Sequence, residues 1–353
     1  MISRKDRARI HGCESDDVFN HLPARPEFGL ASAQIGMSLP VLEVAGLTKS
    51  YGEFKAVDAL SFTVEPGEVL GFLGPNGAGK TSTMRMILGL LKPDAGAIRL
   101  FGAPWSREAL PRLGYLPEER GLYKRMRAVE AVVFFARLKG LPAHLARRKA
   151  RDILDRLGLA HVARTRIENL SRGLAQKVQV AAAIAHEPEF LILDEPFSGL
   201  DPLNQQVIED IIRDQARAGR SAIFSTHTMQ HAERLCRRII ILRRGRKAFE
   251  GTIAEARRLL PRRVRLDANV DLSFLAGIPG VGRLEAPGPG RHAWEAILAQ
   301  DTEPGVLLAA CVARGVTPTR FDASEPTLHE VFVAVAGGTG TADIAPATGE
   351  AAA

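Results

Sequence analysis

Long apolar runs are missing from this sequence. No stretch of its 353 residues nears the roughly 18 to 20 consecutive apolar residues that a bilayer-spanning helix needs. A helical membrane channel is therefore excluded. Cysteine is scarce as well: Cys13, Cys236 and Cys311 stand far apart, with neither metal-ligand spacing nor the density of a disulfide framework. That usage suits free thiols kept reduced, and no chemistry is assigned to them. A secretory leader is not expected either, because the basic "RKDRAR" is followed by "HGCESDD" and not by an apolar core.

Glycine, by contrast, is concentrated where it matters. Residues 74–81 read "GPNGAGKT", between the strand-like "EVLGFL" and the helical "STMRMILGLL". This is the pattern of a phosphate-binding loop in its expected strand-to-helix context. Phosphate oxygens need several donors converging on a small volume, and Gly74, Gly77 and Gly79 let the backbone wrap tightly enough to supply them. Lys80 adds a point charge for the terminal phosphates, and the Thr81 hydroxyl is placed to ligate Mg2+. A Gly-rich turn with an incidental lysine would lack that flanking context.

A magnesium nucleotide also calls for a carboxylate. In "FLILDEP", residues 190–196, an apolar strand ends in Asp194 and Glu195. Two buried acids are costly without a cation. Asp194 is the candidate metal partner, which leaves Glu195 to take a proton from an attacking water. Further along, "LSRG" at 170–173 opens a helix that runs through "VAAAIA". Ser171 reads first as an ordinary N-cap, although a helix start with Gly173 in its first turn can also receive an anion.

Taken in order, these motifs resemble the ATP-binding subunit of an ABC transporter, over about residues 41–250. "GPNGAGKT" resembles the Walker A loop, "LILDEP" the Walker B strand, "LSRG" the family signature, "SGLDP" at 198–202 the D-loop and "STH" at 225–227 the switch loop. The resemblance implies nucleotide contact by the whole loop, Gly74, Pro75, Asn76, Gly77, Ala78, Gly79, Lys80, Thr81 and Ser82, with Asp201 contributing from the D-loop. It implies that Ser171 and Gly173 meet the terminal phosphate of ATP held by a second ATP-binding subunit, as in a homodimer. His227 matches the histidine that contacts that phosphate and holds the attacking water with Glu195; a lone histidine is more often a core or surface residue. Tyr51, in "LTKSYG", matches the aromatic residue stacked on adenine, with a buried structural tyrosine as the rival reading.

Two departures from the family pattern stand out. Glu118, in "GYLPEERGLY", replaces the usual glutamine and still offers an oxygen for Mg2+. The signature has Arg172 and Leu174 where glycine and glutamine are commonest, followed by Gln176 and Lys177. Both features are similar to the sodium-efflux-type ATPases that pair with ABC-2 type membrane subunits. The resemblance implies an exporter ATPase at the inner face of the cell membrane, cytoplasmic, driving a separate permease subunit.

The expected fold is α/β: a P-loop ATPase core with an antiparallel β subdomain and a helical subdomain, plus a small C-terminal α+β domain. Residues 40–260 are expected to form the ATPase domain, helical over about 107–172, with Leu145, Ile153, Leu154 and Leu157 as a packing stripe. Residues 261–336 form the accessory domain, closed by "SEPTLHEVFVAV". Residues 1–39 and 337–353 are expected to be disordered. From Arg120 to Arg172 there are 14 Lys and Arg against 4 Asp and Glu. Solvation is the plain reading of that excess. Nucleic acid is not expected, because no aromatic stacking platform interleaves with these charges. A soluble ABC ATPase of ribosomes or DNA is the rival function, but two ATP domains in one chain, or a long inserted coiled coil, are lacking.

Overall fold

The computed structural model describes residues 39–119, 121–288, 293–299 and 302–337. The expected disordered extension and tail lie outside them, except for border positions 39 and 337, as does Cys13. Along the chain, β1 (Leu42–Tyr51) and β2 (Phe54–Val64) form a hairpin, β3 (Val69–Leu73) precedes α1 (Lys80–Ile87), and β4 (Ala95–Leu100) and β5 (Ala103–Pro104) follow. Next come β6 (Leu113–Leu116), α2 (Ala128–Leu138), α3 (Ala143–Arg156) and α4 (Arg172–Ile184). The chain then alternates through β7 (Phe190–Leu193), α5 (Pro202–Arg217), β8 (Ser221–Thr226), α6 (Met229–Leu235), β9 (Arg238–Arg243), β10 (Arg246–Thr252) and α7 (Ile253–Arg257). Last are β11 (Arg262–Asp267), β12 (Val281–Glu285), β13 (Trp294–Leu298), α8 (Gly305–Ala313), β14 (Arg320–Asp322) and α9 (Leu328–Gly337).

The central sheet has the order β10-β9-β3-β8-β7-β6, parallel except for β10. Parallel strands are covered on both faces and so read as continuous apolar runs, and β3, β7 and β8 are buried at every position. One face packs against the antiparallel sheet β2-β1-β4-β5, where Leu42, Leu47, Leu60 and Phe62 meet Leu70, Phe72 and Ile240. The other face carries α4 and α5, onto which α2 and α3 pack through the small residues Ala131, Ala136, Ala146 and Ala150. No helix of the described residues is long and apolar enough to cross a membrane.

The expected helical stretch from about 107 to 172 is interrupted. Arg107–Arg112 is a 3-10 turn, and β6 joins the central sheet as its edge strand. A four-residue run such as "LGYL" is too short for its period to separate strand from helix. Within α3, Leu154 is fully buried, whereas Leu145 is only half-buried and Ala146 and Ala150 occupy the core in its place. The C-terminal unit is a sheet, β12-β13-β11-β14, covered by α8 through Leu307 and Cys311. Its last helix does not stay with it. Leu328 and Val331 of α9 join the ATPase core beside α6 and β9, so the accessory unit is tied back to the first. Burial pushes the thiols of Cys236 and Cys311 up, Cys236 the more strongly.

Candidate nucleotide site

β3 delivers the chain to Gly74, and the backbone turns so that Ala78 N–H donates to Pro75 O at 3.1 Å. Gly79 then precedes α1 at φ 101°, and no side chain caps the helix. Uncapped first-turn N–H groups and the helix dipole together favour an anion at this end. Thr81 and Ser82 follow in that turn, both half-buried. Lys80 is buried; its Nζ donates to Gly74 O (2.7 Å) and Pro75 O (3.3 Å) and stands 3.6 Å from Glu195 Oε1. The loop thus faces the carboxylates at the end of β7.

Those carboxylates are 1% and 8% exposed for Asp194 and Glu195. Their link is Ser225, at the end of the neighbouring strand β8: its hydroxyl donates to Asp194 Oδ1 (2.7 Å) and accepts from Glu195 N–H (2.7 Å). Glu195 has φ 46°, a conformation uncommon outside glycine and held only where the surroundings over-determine it. Its Oε2 lies 3.0 Å from His227 Nδ1. Ser225 carries no assigned role in the sequence reading, although it opens the quoted "STH"; a buried hydroxyl closing an apolar strand was the available signal. Ser225→Ala strands a buried N–H and a buried carboxylate oxygen together. We expect it to cost about 1–3 kcal/mol, read as a lower denaturant midpoint at unchanged slope. A midpoint equal to the parent's would mean that the bond contributes nothing.

Asp194 Oδ2 is buried and has no hydrogen-bond partner. A buried carboxylate oxygen with no donor fits a cation. Glu118 follows β6, adjacent to β7, and Asp194 N–H donates to Leu116 O (2.8 Å), so both acids leave the same end of neighbouring strands. Burial first, and then the charge of Asp194, push the Tyr115 hydroxyl up. Gln179 anchors the Glu118 loop by donating to Pro117 O and Glu119 O, a contact with no sequence signal. Among the described residues no three His, Cys, Asp or Glu side chains cluster as a metal site. A donor set of one buried carboxylate, one hydroxyl and an exposed acid suits Mg2+, which keeps water and phosphate oxygens as its other ligands.

The remaining candidates lie apart from the loop. Ser171 does cap α4, accepting from Leu174 N–H at 3.3 Å. A Cβ on Gly173 would stand 2.8 Å from Asn204 Nδ2, and Asn204 N–H donates to Asp201, the cap of α5. The signature therefore packs within one chain on the first turn of α5, the helix that Asp201 of the D-loop caps. Among the described residues no hydrogen bond or ion pair joins Ser171, Gly173 or Asp201 to residues 74–81. Tyr51 is 51% exposed beside the β1–β2 turn, with Lys49 Nζ 6.0 Å from its ring centre, which removes the reading of a buried tyrosine.

Comparison with known proteins places this geometry. The family model described as "ABC transporter" matches residues 57–198. An uncharacterized ABC transporter ATP-binding protein, YhaQ of Bacillus subtilis (strain 168), is 36% identical over 294 residues, 83% of this chain and 97% of that protein. The Nod factor export ATP-binding protein I of Paraburkholderia xenovorans (strain LB400) is 41% identical over 213 residues, 60% of this chain and 70% of its own length. A solved ATP-binding subunit of an ABC transporter superposes with a TM-score of 0.58 at 32% identity, covering 62% of this chain and 92% of the other. Matched along nearly the whole of such a relative, the chain belongs to the ABC transporter family as one of its ATP-binding, ATP-hydrolysing subunits.

Proposed function

We propose that the chain is the ATPase of an ABC-2 type exporter, working with a separate membrane subunit and with a second copy of itself. The contact of His227 Nδ1 with the buried Glu195 carboxylate, 3.0 Å, carries the hydrolytic part of this reading. Glu195 accepts a proton from a water that His227 helps to hold. The water oxygen bonds to the γ-phosphorus as the bond to ADP breaks and its electron pair leaves with ADP. Lys80 and the amides of residues 74–81 hold the phosphates, and Tyr51 stacks on adenine, a contact worth about 1–3 kcal/mol. Ser171 and Gly173 of one subunit meet the γ-phosphate held by the other, and Asp201 lines the same interface. Thr81, Asp194 and Glu118 would hold Mg2+, which neutralises phosphate charge when bound.

The exporter class rests on the likeness to Nod factor export proteins and on the "LPEERGLY" loop. For the membrane subunit, support comes from a cleft of about 310 Å³ between the central sheet and the helical subdomain, lined by Leu88, Leu90, Leu110, Leu122, Phe135 and Lys139. Leu90, Tyr123 and Leu138 are exposed around it. Lys139 donates to Leu110 O, and burial pulls its ammonium down to about 8. Arg125 and Arg127 stand exposed on the same subdomain, where closeness to an anionic bilayer adds about 1 kcal/mol per basic residue. The aromatic residues within this basic stretch face one another and form no open stacking platform. Tyr123, Phe134 and Phe135 pack on one another, with Tyr123 and Phe134 edge to face at 5.5 Å.

Reversing Arg125 and Arg127 to Glu is expected to weaken co-purification with the proposed membrane subunit while sparing hydrolysis by the isolated subunit. Unchanged co-purification would return the face to plain solvation. Lost hydrolysis would move those charges to the nucleotide site. Recovery of ribosomes or nucleic acid in place of a membrane protein would favour the soluble ATPase.

A further inference from the structure

Beneath the loop that follows Glu195 lies a buried charged cluster with no part in the chemistry above. Glu209 of α5 is fully buried and His231 of α6 is 4% exposed. His231 Nδ1 lies 2.9 Å from Glu209 Oε1, and Glu209 also meets Arg213 (3.0 Å) and Arg234 (3.4 Å). Both guanidinium groups donate to Glu209, and its Oε1 is shared by Arg234 and the His231 ring. With a carboxylate that already accepts from two arginines as its partner, Nδ1 is the donor of this pair. One ring orientation follows.

That ring lies face to face with Phe197, with centroids 3.9 Å apart and planes 16° from parallel. Phe197 also presents its edge to Phe224 of β8, at 5.8 Å and 88°. Only Pro196 separates Phe197 from Glu195, and the carbonyl of Pro196 accepts from Gln176. Glu195 is thus pinned on its N-terminal side by Ser225 and on its C-terminal side by Phe197. Its left-handed backbone needs such restraint on both sides. His231 sits four residues beyond His227, so the segment that supplies the partner of Glu195 also supplies the platform for its loop.

We propose that His231 is a positioning residue for hydrolysis: oriented by Glu209, its ring fixes Phe197 and so keeps Glu195 in register with His227. This rests on the reading of Glu195 as the base. Displacing a reacting group by about 1 Å can cost about 10²-fold in rate without touching the groups that bind ATP.

The test uses the full chain with magnesium ATP, measuring kcat, KM, affinity for labelled ATP and melting temperature. H231A is expected to lower kcat by about ten- to a hundredfold, with KM and ATP affinity held within about twofold. H231F, which keeps a flat ring under Phe197 but loses the bond to Glu209, is expected to fall between H231A and the parent. In an E195Q background, H231A should slow the residual turnover by less than about twofold, because the two act through one group. Parental turnover in H231A, turnover in a folded H231F no faster than that of H231A, or a full additional loss in the double variant would overturn the proposal. If H231A melts too low to assay, Phe197→Leu replaces it, and undiminished kcat there would overturn it equally. A fast E195Q would instead overturn the base reading itself.

Discussion

Glu195→Gln is expected to slow ATP turnover by about 10² to 10⁴ while ATP stays bound, the range that loss of a general base normally produces. The substitution preserves shape and leaves an amide oxygen where His227 Nδ1 now meets the carboxylate at 3.0 Å. Ser225 bonds to the backbone N–H of residue 195, and that bond survives any change of side chain. The amide cannot take a proton from water. The other consequence is electrostatic: Lys80 Nζ, 3.6 Å from Glu195 Oε1, loses a facing negative charge and is left to the carbonyls of Gly74 and Pro75. A phosphate near Lys80 then meets less repulsion, so affinity should hold or rise. With hydrolysis blocked, two subunits should stay closed on ATP. Gel filtration with and without ATP, beside a phosphate-release assay, measures both halves. Parental turnover would remove Glu195 as the base, and a monomer at saturating ATP would remove the shared-site dimer.

Much of the site can be read from the sequence because its motifs are local. A loop of "GPNGAGKT" between an apolar run and a helical one carries its own explanation, since neighbours in the chain form the binding surface. The same holds for Asp194 and Glu195 at the end of "FLIL". What escapes is whatever depends on contact across the fold. Ser225 comes 31 residues after Asp194, and only the pairing of β7 with β8 brings its hydroxyl between the two acids. Glu209 and His231 look like ordinary surface residues of amphipathic helices until α5 and α6 are packed together. Gly173 has a phosphate-facing reading in the sequence, yet Asn204 gives it a steric reason within the chain. β6 failed for another reason, its shortness, and α9 because an apolar helix does not announce which core it will join.

Gly79→Ala is expected to disable ATP binding more severely than Gly77→Ala, although both glycines have positive φ. At Gly77 (φ 80°) the space where a Cβ would go is open, with nothing within 4 Å. An alanine there meets only the backbone penalty of the left-handed region, about 1–2 kcal/mol. At Gly79 (φ 101°) the added Cβ would stand 2.3 Å from Ala56 O and 3.3 Å from Val57 Cγ2. A backbone carbonyl of a paired strand cannot swing aside as a side chain can. Either the loop moves off β2 or β2 gives way, and Val57 is fully buried in the core that β2 shares with β3. The first outcome turns the N–H groups ahead of α1 away from the phosphates; the second opens the core. Lost donors at charge-assisted distances cost about 1.5–3 kcal/mol each, so displacing two of them lowers affinity by about 10² to 10⁴. Titration with labelled ATP and denaturant unfolding, run on both variants, separate the cases. Gly77→Ala should unfold slightly earlier and still bind, whereas Gly79→Ala should lose binding whether or not its midpoint falls. Equal affinities in the two variants would show that the contact with Ala56 does not set the path of the loop.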